Sequence, residues 1–177
     1  TGIQLLLEHG ADSAARDANG QTALWIAVEL GDAQSTAWLL KHGAIISGFD
    51  VQGRSLLTLA VQKGKGDLIR LLVSYGMTAN KPDVRGRLPL VVAATNRNAS
   101  AVQALIESGA DVSRLEAPDI RILLREVSDW ADAPSSMVRA LMASGVKLER
   151  VREGPTGYTP LHDAASRGAV GVIAAML

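Results

Sequence analysis

The chain has 177 residues and is 47% hydrophobic but only 3% aromatic, with three Trp, two Tyr and one Phe. That length can bury a sizeable core, and a core of Leu, Val, Ile and Ala favours closely packed helices over a β-sandwich. Eighteen Lys plus Arg offset eighteen Asp plus Glu, which argues against a bulk nucleic-acid binder, and the lack of cysteine excludes disulfides and thiolate metal sites.

In chain order, the first element is Ile3-Gln4-Leu5-Leu6-Leu7, an apolar helical stripe closed by His9-Gly10. The same ending returns at His42-Gly43, Tyr75-Gly76 and Ser108-Gly109, each 33 residues after the last. Glycine suits the left-handed position that follows a helix. A second series, Gly20, Gly53 and Gly86, keeps the same spacing. A fixed period of this length points to stacked repeats and has to be recognised before any motif is interpreted.

Gly20-Gln21-Thr22-Ala23-Leu24-Trp25-Ile26-Ala27-Val28 predicts a first helix with Thr22 as its N-cap. A second helix ends on Trp38-Leu39-Leu40, with Ser35-Thr36 where other units carry apolar residues. Trp25 and Trp38 are both expected in the core. The next period repeats the pair, with Ser55 as cap, Ala60 as a small packing residue and Leu68-Ile69 and Leu72-Val73 as the second stripe. A third follows, with Pro89 at the first helical position, Ala93-Ala94, Ala101-Val102 and Leu105-Ile106.

The pattern then slips. Gly86 to Gly157 is 71 residues, five more than two periods. Ile120, Leu123, Leu124 and Val127 still form a stripe, with Pro118 at its first turn, and Val138, Leu141-Met142 and Gly145 mark a second helix. The stretch 128–136, which contains Trp130, predicts an irregular bulge. The last unit opens on Gly157-Tyr158-Thr159-Pro160, with Thr159 as cap. Both ends cut through a second helix without the polar face that closes a solenoid, so the chain is expected to be an excerpt of a longer array.

Thr159-Pro160-Leu161-His162-Asp163-Ala164-Ala165 followed by Gly168, and Leu6-Leu7-Glu8-His9-Gly10-Ala11-Asp12, resemble the ankyrin-repeat signature at the start of the first helix and the end of the second. The resemblance runs along essentially the whole chain. It implies an all-α solenoid of stacked helix–turn–helix units with protruding loops. The units would be a partial repeat at 1–16, full repeats at 17–49, 50–82 and 83–115, a divergent repeat at 116–153 and a partial repeat at 154–177.

The resemblance also settles how His162 reads. In the family this histidine orders the helix start by bonding the Thr of its own motif, here Thr159. Asp163 is no catalytic companion, because adjacent helix residues do not face one another. His9 and His42 flank C′ glycines, where a donor suits the exposed carbonyls. Nucleophile elbow, Walker and zinc-protease motifs are all missing. Lys63-Gly64-Lys65-Gly66 falls in register on the turn between helices rather than on a phosphate loop.

The function implied is binding of another protein or a peptide segment on the concave face. No catalysis, cofactor, small-molecule substrate or membrane partner is expected, nucleic acid is disfavoured by the charge balance, and the location expected is cytoplasmic, since no targeting signal or bilayer-length apolar run is present. The family's variable positions map to Gln21, Glu29, Leu30 and Phe49 in the first full repeat and to Val51, Gln52, Arg54 and Lys63 in the second. In the third they map to Val84, Arg85, Arg87 and Asn96, and in the last unit to Tyr158 and Arg167. Arg54, Lys63, Lys81, Arg85 and Arg87 form a basic strip suited to an acidic or phosphorylated segment. Two other roles fit the same architecture: a regulatory or targeting arm of a larger enzyme or signalling protein, and a structural spacer.

Overall fold

Helix boundaries follow local chemistry. The computed structural model describes residues 2–50, 53–112, 115, 119–120, 122–123, 142–143, 157, 159–170 and 173–174. Helix α1 is Gly2–Glu8. Helix α2, Ala23–Leu30, begins after Thr22, whose hydroxyl accepts the Trp25 N–H at 3.3 Å. Helix α3, Ala33–Lys41, is capped by Asp32, which accepts the Ser35 N–H at 3.0 Å. Ser55 caps α4, Leu56–Lys63, through the Thr58 N–H at 3.1 Å. Helix α5 is Gly66–Ser74. Helix α6, Pro89–Thr95, opens on a proline that has no N–H to leave unpaired. Asn98 caps α7, Ala99–Glu107, through the Ala101 N–H at 3.0 Å. Helix α8 is Pro160–Ser166.

Short turns fold α2 on α3, α4 on α5 and α6 on α7. The hairpins then stack: α2, α4 and α6 form one layer, and α1, α3, α5 and α7 form the other. Their inner faces share one apolar cluster that includes Leu24, Leu39, Leu59, Leu68, Leu72 and Leu105, all but completely buried. Ala60, Ala93 and Ala94 are fully buried between neighbouring first helices, where a larger side chain would hold the hairpins apart. No strand occurs among the described residues, only an isolated antiparallel bridge between Arg16 and Thr22.

Ser35 and Thr36 occupy an apolar position because their hydroxyls are satisfied locally. Both are buried. The Ser35 hydroxyl donates to the Asp32 carboxylate at 2.5 Å, and that of Thr36 to the Asp32 carbonyl at 2.6 Å. Hydrogen bonds from the Ser35 side chain and backbone hold the Asp32 carboxyl below the usual range.

Trp25 packs inward as expected, at 7% exposure. Trp38 does not. It is half-buried outside the apolar cluster, stacked on His42 with ring centroids 5.9 Å apart and with the Lys41 ammonium 5.2 Å from its centroid. A surface made of an aromatic ring under two donor side chains stabilises it there.

Of the divergent stretch, Leu123 is buried and Ile120 and Met142 pack partly against the core. Pro118, Leu124, Val127, Val138, Leu141, Gly145 and the expected bulge at 128–136 with Trp130 lie outside the described residues.

The turn inside each hairpin needs a left-handed residue. Gly31 and Gly64 supply it at φ 75° and 68°, and Arg97 takes the same place at φ 52°. A side chain there carries backbone strain of about 1–2 kcal/mol. Leu72→Ala, at a fully buried site, should cost about 2–5 kcal/mol, read as a lower urea midpoint.

Candidate functional site

Three loops, at 17–21, 50–54 and 83–87, share the same hydrogen bonds at their described residues. Each begins with an aspartate. The backbone N–H of Asp17, Asp50 and Asp83 donates to the carbonyl four residues on, at 2.9, 3.0 and 2.9 Å. The N–H of Gly20, Gly53 and Gly86 donates back to the Asp carbonyl, at 2.9 Å each. The carboxylate locks the tip from inside. Asp17 accepts the N–H groups of Asn19 and Gln21 at 2.9 and 2.8 Å, and Asp83 those of Arg85 and Arg87 at 2.9 Å each.

Two of the expected recognition arginines belong to this lock. Arg54 Nε lies 2.6 Å from Asp50 Oδ2, and its Nη1 donates to Gln62 Oε1 at 3.2 Å. Arg87 reaches Asp83 Oδ2 through Nε at 3.0 Å and Nη2 at 2.8 Å. Burial pushes the Asp83 carboxyl up, but the Arg87 N–H and guanidinium with the Arg85 N–H outweigh it and hold the group below the usual carboxylate range.

The remaining expected residues divide. Arg85 and Lys63 are exposed and form no ion pair among the described residues. Val84, 60% exposed, lies against Gly53 of the preceding tip, where a Cβ would meet its methyl groups at 2.5 and 2.9 Å. Phe49, 48% exposed, has the Lys81 ammonium 5.4 Å from its centroid. Asn96 is the exposed C-cap of α6. Arg167 is exposed in the turn after α8, away in sequence from the other candidates. Val51, Gln52 and Tyr158 lie outside the described residues.

Between the first two loops runs a groove of about 700 Å³. Trp25 and Glu29 of α2 line it, with Ile45 and Phe49 on the arm leading to the second tip and Arg16 and Arg54 nearer the tips. The Trp25 Nε1 is buried without an acceptor among the described residues, a condition that costs about 1–3 kcal/mol. Sequence reasoning missed the three loop aspartates, although they share the 33-residue spacing of the glycines. It also missed Ile45, whose position becomes significant only once the groove exists.

His162 Nδ1 lies 2.8 Å from the Thr159 hydroxyl, the pairing the resemblance implies. His9 Nδ1 lies 2.8 Å from the Leu5 carbonyl, as a donor beside a C′ glycine should. No helix among the described residues is long and apolar enough to cross a membrane.

Stacked helix hairpins with turn-locked loops along one side define a helical solenoid. The ankyrin-repeat model in three copies matches residues 44–115, and the single-repeat model matches 19–48. The chain belongs to the ankyrin-repeat family, whose repeats generally act as protein–protein interaction modules and whose fold is a non-catalytic scaffold. It is similar to an ankyrin repeat domain from Acinetobacter baumannii solved by crystallography, with a TM-score of 0.76 at 21% identity over 99% of this chain and 91% of that one. No curated protein matches it.

The Asp83 lock has a definite pH signature. A carboxyl held below its unfolded value of about 3.9 contributes stability that is present above that value and is lost as pH falls through the folded value. Amide resonances of Arg85 and Arg87 should therefore titrate with a midpoint below about 3.9. Asp83→Asn should lower stability by about 1–2 kcal/mol at neutral pH, allowing for solvent around the half-exposed guanidinium, and should abolish that titration.

Proposed function

We propose that the loop-side, concave face of the stack binds an extended segment of another protein. Acidic or phosphorylated groups of that segment meet Arg85 and Lys63, and apolar side chains lie against Phe49 and Val84. The observation that supports this reading most is that Arg85 and Lys63 hold exposed charges with no ion pair among the described residues, on the side where Phe49 and Val84 also stay exposed. Arg54 ties the second tip to the end of α4 next to Lys63 through Gln62, so tip and helix end present one surface. Arg54 and Arg87 act differently from Arg85: they hold the loops in shape through Asp50 and Asp83, and so preorganise the surface rather than offer free charge.

The difference decides how the proposal is tested. Reversing Arg54 or Arg87 would break a loop as well as a contact, whereas Arg85 and Lys63 can be reversed without that loss. On an array of glutamate-rich and phosphoserine peptides, Arg85→Glu with Lys63→Glu should reduce binding by about tenfold or more, and added salt should weaken the unsubstituted chain. Equal binding by both forms would remove the acidic-segment reading.

A further inference from the structure

The groove between the first two loops differs from the surface around Arg85 and Lys63 in charge, and its lining is mixed, with Asn19, Gln21, Thr22 and Ser47 among Trp25, Ile45 and Phe49. Its lining includes exposed apolar side chains, Ile45 at 59% and Phe49 at 48%, and Trp25, which is only 7% exposed and whose Nε1 is buried. Asp50 is held by Arg54 at 2.6 Å. Arg16 Nη1 donates to the Gly20 carbonyl at 2.6 Å, which orients the guanidinium but leaves its charge in place. Glu29 differs from Asp50. Its carboxylate receives only the Gln21 amide, at a long 3.4 Å, and no cation among the described residues.

Register shows that this carboxylate is peculiar to one end of the stack. One and two periods beyond Glu29 stand Gln62 and Thr95, both neutral. The exposed charges that follow along the same side include the cations Lys63, Lys81 and Arg85. The loop-side face therefore changes sign along its length, from Glu29 beside the groove to cations on the side of Val84.

We propose that this groove seats a large apolar side chain of the bound segment and that a lysine or arginine next to it pairs with Glu29. The inference rests on the concave-face reading above and deepens it, because it adds the segment's polarity and direction. The segment is basic and apolar where it crosses the first two loops and acidic where it reaches Arg85. A segment laid in reverse would set its carboxylates against Glu29 and its cations against Lys63 and Arg85, and like-charge contacts of that kind exclude the wrong orientation. An apolar side chain in the groove would cover Ile45 and the open part of Phe49, the kind of buried anchor on which interfaces depend.

The test is selection of a phage-displayed random dodecapeptide library on the whole 177-residue chain, followed by affinity measurement of the selected peptides. Enriched peptides should carry a large apolar residue beside Lys or Arg on one side and Asp or Glu on the other. Their affinity should fall about tenfold with Glu29→Lys and with Phe49→Ala, both substitutions at side chains that are not fully buried. Peptides without the apolar–basic pair, or peptides that bind both variants as tightly as the unsubstituted chain, would overturn this inference. If such peptides still lose affinity with Lys63→Glu and Arg85→Glu, the concave-face reading survives that result. Binding indifferent to all four substitutions, or a library that yields no binder, would contradict both.

Discussion

Neighbouring hairpins approach so closely that several contacts leave no room for a Cβ atom, and the rest of the structure depends on that approach. A side chain at Gly66 would meet the Ser100 hydroxyl at 2.7 Å, and one at Gly53 the Val84 methyl groups at 2.5 and 2.9 Å. One at Gly64 would run into the side-chain amide of Asn98, the group that caps α7. Together with the buried alanines between first helices, these contacts set the spacing at which leucines of one hairpin reach those of the next. In a solenoid each unit is stable only against its neighbours, so the spacing governs stability as well as shape. It also fixes how far apart consecutive loops stand, and therefore whether the groove between them can exist.

The loops add a second level of order. Asp17, Asp50 and Asp83 each close a tip with backbone hydrogen bonds, and two of them also hold an arginine. Hydrogen bonds of this kind brace the surface proposed for a partner and would lower the ordering cost of association. Across the other layer, Arg70 of α5 bridges to the next second helix by reaching Glu107 of α7 at 2.8 Å, and it also pairs with Asp67 of its own helix at 3.1 Å. That network is exposed and contributes little to stability on its own, but it shows the two faces built differently, with ion pairs between units on one side and within loops on the other.

Much of this architecture was legible in the residues. Leu6, Leu39, Leu72 and Leu105 with their following glycines mark the second helices, and Thr22, Ser55 and Pro89 mark the starts of first helices, because caps and helical stripes depend on chemistry within one or two turns of chain. What periodicity does not reveal is which side chain finds which partner. Arg54 and Arg87 read as recognition residues because arginine suits that role. Only the tip geometry shows that an aspartate four residues earlier claims each of them. Trp38 directly precedes Leu39-Leu40 and reads as core, yet it is half-buried outside the apolar cluster, against His42. The groove was least legible of all, since Trp25, Ile45 and Arg54 meet only after two loops have been set side by side.

The most direct measurement of the underlying constraint is a double-mutant cycle between Gly64 and Asn98, followed by urea denaturation. Gly64→Ala displaces the Asn98 amide and so costs both backbone strain and the α7 cap, whereas in an Asn98→Ala background only the strain remains. The two substitutions should therefore be less than additive, by about 1 kcal/mol. Strict additivity would mean that the hairpins do not meet at this contact and would contradict the packing on which the loops, the groove and the binding surface all rest.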